Sequence, residues 1–83
     1  MDKKEYCHKL ADISEAIYDT EKQLSNVVAE LSCLYHKKQT GLPFDEARIE
    51  WFEKAQKSLV EEKQSLEQAH SDLVRDYSWL LDT

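Results

Sequence analysis

The chain has 83 residues, 41% hydrophobic and 34% charged, and its 11 Lys and Arg against 17 Asp and Glu give a formal charge of −6. With a mean hydropathy of −0.71, no apolar run approaches the ~18 residues of a spanning helix, and the acidic excess argues against a cationic tracker of nucleic-acid phosphates. One Gly and one Pro are too few for the many turns of an all-β fold.

The N-terminus, Met1-Asp2-Lys3-Lys4-Glu5-Tyr6, leads into no apolar stretch of the kind a secretory signal carries. Asp2, with Glu5 three residues later, resembles a capping box and predicts a helix start. From there apolar or near-apolar residues recur with alternating gaps of four and three: Tyr6, Leu10, Ile13, Ile17, Thr20, Leu24, Val27, Leu31, Leu34. Only Thr20 is polar, and its methyl group still packs. This is the seam of a coiled-coil-like helix, predicted over residues 2–39. Cys7, Val28 and Tyr35 widen the stripe on one side.

The one break falls at Thr40-Gly41-Leu42-Pro43-Phe44. Gly accepts the left-handed conformation that ends a helix, and Pro cannot continue one. His36, Lys37 and Lys38 before the break suit a helix C-terminus. Asp45 after it is a good N-cap, Glu46 adds an anion to the first turn, and Phe44 and Ile49 have the spacing of a hydrophobic staple. A turn at 40–44 and a second helix over 45–82 are therefore predicted.

The second helix repeats a large apolar residue every seven positions: Phe52, Leu59, Leu66, Leu73, Leu80. The other half of its seam reads Ile49, Gln56, Lys63, His70, Tyr77, apolar at the ends and polar in the middle. Ala55 and Ala69 flank the seam on one side, Val60, Val74 and Leu81 on the other. Folding the chain at Gly41 pairs positions whose numbers add to about 86, which sets Tyr6 by Leu80, Ile13 by Leu73, Thr20 by Leu66, Val27 by Leu59 and Leu34 by Phe52. One register thus matches the better series of both helices. The expected fold is all-α: a single antiparallel two-helix hairpin over residues 1–83, completed by dimerisation into a four-helix bundle or by a partner protein.

That last expectation rests on a mismatch. Leu10, Ile17, Leu24 and Leu31 face Tyr77, His70, Lys63 and Gln56, or the small Ala69 and Ala55. At ~25 cal/mol per Å², a single seam is hard pressed to offset ~1–2 kcal/mol of backbone entropy per residue, and small folds without disulfides or metals usually associate. The expected partner-binding set is Leu10, Ile17, Leu24, Val28, Leu31, Tyr35, Trp51 and Trp79. Tyr6 and Tyr77 are further candidate anchors, because Trp and Tyr dominate many hot spots.

Residues able to carry chemistry are scattered. Cys7 and Cys33 lie about 39 Å apart along one helix, far beyond disulfide reach. Unpaired thiols suit a reducing, cytoplasmic setting. Cys33 with His36 offers two metal ligands where zinc needs three or four. His70 and Lys63 fall on the seam, where a polar residue fixes register or, for His, responds to pH, or simply turns its polar end to solvent. Glu61 and Glu62 point apart, and the face of Asp12, Glu15 and Asp19 suits either a basic partner or plain solvation. No Gly-rich phosphate loop, Ser–His–Asp spacing or Cys-x-x-Cys is present, and a narrow hairpin lacks a concave substrate pocket. No catalytic, cofactor-binding or metal residue is assigned, and no nucleic acid, membrane or small-molecule partner is expected. Residues 1–40 carry a net charge of −1 and residues 41–83 of −5, which predicts an acidic second helix and an apolar first one.

The expected function is that of a small acidic protein-binding module: an adaptor, inhibitor or chaperone-like accessory factor of the phage or bacterial kind, working through the apolar face of the first helix. The alternatives are a self-assembling coiled-coil structural protein and, as a minor option, a DNA-mimic inhibitor. The layout of helix, Thr40-Gly41-Leu42-Pro43-Phe44 turn and amphipathic helix also resembles the small hairpin co-chaperones of type III secretion needle subunits. That resemblance is one of layout over most of the chain; it implies a co-chaperone role and carries no functional residue over.

Overall fold

The computed structural model describes residues 1–82. Helix α1 spans Lys3–Thr40 and helix α2 spans Glu46–Tyr77, followed by a 3-10 segment, Ser78–Asp82. The two helices run antiparallel as an extended hairpin, a rod of 62 × 14 × 14 Å. No strand occurs among the described residues.

The ends of α1 form for the reasons its sequence supplies. Asp2 sits in extended conformation as the N-cap. Its Oδ1 accepts from the Glu5 N–H at 2.8 Å, satisfying one of the orphan donors of the first turn. At the other end Gly41 adopts φ +76°, the chain's one positive φ among the described residues. The Leu42 N–H then reaches back to the Lys37 carbonyl at 2.9 Å, the six-to-one bond of a Schellman closure. Asp45 caps α2 by accepting from the Ala47 N–H at 3.0 Å. Lys38 spans the turn, 3.6 Å from the Glu46 carboxylate and 5.7 Å from the Phe44 ring centroid. Phe44 thus lies beneath a cation and remains exposed, whereas Ile49 is buried.

Packing is uneven along the rod. Leu31, Leu34 and Ile49 form a buried cluster with Val27 and Phe52 packed against it, near the turn. At the open end Tyr6 and Leu80 are buried. Between these ends only Thr20 is fully enclosed; Leu10, Ile13, Ile17, Leu24, Leu59, Leu66 and Leu73 are half-buried. Thr20 solves its polarity locally, its hydroxyl donating to the Ala16 carbonyl at 2.9 Å while its methyl faces the seam. Lys63, half-buried, solves its own by extension: its ammonium sits 3.3 Å from Glu21 and 3.7 Å from Glu67.

The cross-helix polar contacts, Lys38–Glu46, Lys63–Glu21 and Tyr35–Glu53, each join positions whose numbers add to within about two of 86. The register is the one the heptads require. One boundary differs. The regular helix stops at Tyr77 and tightens to 3-10 geometry over the last turn. There the Trp79 indole N–H donates to the Asp76 carbonyl at 3.0 Å, a side-chain bond to a carbonyl of the last α-helical turn. Thr83 lies outside the described residues.

Candidate interaction surface

The hairpin has two long faces, and its cross-helix bonds identify them. The Tyr35 hydroxyl donates to Glu53 at 2.7 Å, and Lys63 joins Glu21 to Glu67. Tyr35 and Glu21 belong to the seven-residue series of α1 that also contains Cys7, Ser14 and Val28. Glu53 and Glu67 belong to the series of α2 that also contains Val60, Val74 and Leu81. The two widened stripes therefore meet on one side. On this face Val28 (42% exposed), Tyr35, Val60, Val74 and Leu81 (48%) are all exposed, and Cys7 is a free, exposed thiol. Glu21, Lys63 and Glu67 cross its middle. The half-buried Leu10, Ile17 and Leu24 adjoin the α1 edge of this face, since their series neighbours that of Val28 on the helical wheel. We call it the valine face.

The phenol of Tyr35 is pushed above its ordinary pKa. Its neutral form donates the hydrogen bond to Glu53, partial desolvation penalises the phenolate, and the charges of Glu53 and Glu46 oppose it further.

The opposite face carries two shallow open grooves. One, of about 430 Å³, has Ile13, Leu73 and Ala69 in its lining with Asp12, Asp72 and Asp76 around them. The other, of about 390 Å³, includes Val27, Leu59, Ala55 and Trp51. The sequence reading expects no concave substrate pocket, and both grooves are open along the surface of the rod. The grooves exist because Ala55 and Ala69 are too short to cover the seam beside them. Arg75 bridges Asp72 at 3.3 Å and Asp76 at 3.1 Å near the first groove.

The expected partner-binding residues consequently divide. Val28 and Tyr35 lie on the valine face, with Leu10, Ile17 and Leu24 at its edge. Trp51, 63% exposed, lines a groove on the other side, and Trp79 is tied by its indole to Asp76, which lines the first groove. Two corrections are needed. Leu31 is only 4% exposed and belongs to the core at the turn end. It differs from Leu10, Ile17 and Leu24 because large apolar side chains, Ile49 and Phe52, close over it. Tyr6, a candidate anchor, is 1% exposed and is the most deeply buried large side chain. His70 and Tyr77 are half-buried at the seam.

Charge is also arranged by the fold. The hairpin's midpoint falls between residues 21 and 22 on α1 and between 64 and 65 on α2. The turn-side half, residues 22–64, holds 7 bases and 7 acids; the open-ended half holds 4 bases and 10 acids. The entire net charge of −6 thus lies toward the open end, a lengthwise division where the sequence order suggests one helix against the other.

Among the described residues no three His, Cys, Asp or Glu side chains converge to hold a metal ion, and no helix is long and apolar enough to cross a membrane. Comparison of this chain with family models, with curated proteins and with solved structures finds no match.

Proposed function

We propose that this chain is a protein-interaction module of the adaptor, inhibitor or chaperone-like kind, whose valine face docks against another protein surface. The observation that carries the reading is the row of exposed Val28, Tyr35, Val60, Val74 and Leu81 along one side of a two-helix rod, adjoining the half-buried Leu10, Ile17 and Leu24. Helix-face recognition uses such apolar anchors at heptad spacing. The chain's surface of 6155 Å² compares with about 5,200 Å² for a globular monomer of this mass. The excess, about 1,000 Å², is close to the ~800 Å² that one partner contributes to an interface of standard size.

The test is a paired substitution, Val28→Asp with Val60→Asp. Both side chains are exposed, so helicity by circular dichroism is expected to persist. Self-association in sedimentation and retention of host proteins on the immobilised chain are both measured. Association is expected to be lost in the double variant and kept in Trp51→Ser, which alters the other face. A chain that associates equally well after both valines become aspartates refutes the reading.

A further inference from the structure

We infer that the occupant of the valine face is a second copy of this chain, docked antiparallel about a twofold axis through the middle of the rod. The inference rests on the interaction reading above and adds to it the partner, the orientation and the register.

The arrangement of the face supports each element. At ~1.5 Å per residue, Val60, Val28 and Tyr35 lie about 7, 10 and 20 Å from the midpoint toward the turn. Val74, Cys7 and Leu81 lie about 14, 22 and 25 Å toward the open end on the same scale. A twofold rotation about the midpoint therefore lays Val60, Val28 and Tyr35 of each copy along Val74, Cys7 and Leu81 of the other. Lys63, Glu21 and Glu67 all sit within about 4 Å of the midpoint along the axis. The same rotation brings each Lys63 level with the Glu21 and Glu67 of the second copy, so the charged belt that interrupts the face meets its own complement.

The charge division decides the orientation. A parallel pair would lay two halves of charge −6 side by side. The antiparallel pair lays each acidic half against a half with equal numbers of acids and bases, which removes the largest like-charge term. The interface is then isologous and closed. Its area requirement is met by the exposed excess of about 1,000 Å² per chain over a globular monomer.

The test combines mass with orientation. Sedimentation equilibrium of the wild-type chain at tens of micromolar is expected to give twice 9.8 kDa, and Val28→Asp with Val60→Asp is expected to give the chain mass. Orientation is read from thiols. In Cys33→Ser, Cys7 is the one remaining thiol, and in the antiparallel pair the two copies of Cys7 lie at opposite ends. Oxidised glutathione is then expected to yield no covalent dimer. Adding Tyr35→Cys places a thiol level with Cys7 of the second copy, and the same treatment, with glutathione taking up two electrons and two protons per bond, is expected to yield one. A wild-type monomer overturns the dimer, while valine-dependent retention of another protein would still sustain the interaction reading. Cross-linking through Cys7 alone overturns the antiparallel orientation, and a dimer that survives the paired aspartates overturns the face.

Discussion

Leu31→Ala tests where the core ends and the docking surface begins. Leu31 is 4% exposed and packs with Leu34 and Ile49. Truncation removes about three methylene equivalents at ~0.8 kcal/mol each, or roughly 2.4 kcal/mol. A rigid core would add a cavity penalty and move the cost toward the upper end of the ~2–5 kcal/mol range. Here the seam is open to solvent on both flanks and the two helices can close in, so a cost of about 2–3 kcal/mol is expected. Chains of this size have a total stability of roughly 4–12 kcal/mol at ~0.05–0.15 kcal/mol per residue, so the loss is a large fraction. It corresponds to a fall of about 10–20 °C in Tm. Thermal and urea unfolding followed by circular dichroism should be run at one fixed chain concentration, because association shifts apparent stability. A Tm change under about 4 °C, or roughly 0.5 kcal/mol, together with lost association, would place Leu31 back on the docking surface and refute the assignment to the core.

Four further outcomes are expected. Gly41→Ala should cost about 1 kcal/mol and Gly41→Val somewhat more, because each forces a side chain into φ +76°; a Cβ there meets nothing within 4 Å, so the cost is conformational, and unchanged urea midpoints would contradict it. Thr20→Val should raise stability by about 0.5–1 kcal/mol, since the buried hydroxyl only duplicates a bond to the Ala16 carbonyl; a loss in urea unfolding would mean that the hydroxyl matters to the fold. Asp45→Ala should cost about 1 kcal/mol through the lost cap on Ala47, again read from unfolding midpoints. The Tyr35 phenol, raised by its bond to Glu53, favours the fold while neutral. Its contribution is complete below the ordinary phenol value of ~10 and is lost as pH rises through the higher folded value. Subtracting the ultraviolet titration of Tyr35→Phe from that of the wild type should isolate a phenol ionising above the ordinary value, and one ionising at or below it would show that the Glu53 bond does not form.

The sequence by itself determined the helices, the turn and the register. These follow from local chemistry: Asp2 and Asp45 as caps, Gly41 as the residue that accepts a left-handed turn, and two seven-residue series that align end to end in a single antiparallel pairing. The tertiary structure alone decided which flanks are shared. Heptad spacing reveals that Val28 and Tyr35 widen one stripe and that Val60, Val74 and Leu81 widen another. Which side of the hairpin each stripe faces depends on the rotation of the helices about their own axes. The same rotation sent Trp51 to the opposite face, although by type it belonged with Tyr35. It also decided Leu31, which is indistinguishable in the sequence from Leu10, Ile17 and Leu24 until Ile49 and Phe52 close over it at the turn end. Folding one charged strand of sequence back on another gathered the acids toward the open end, a pattern invisible when the chain is read from residue 1 to residue 83. Periodicity is a property of one helix, and burial is a property of whatever comes to lie across from it.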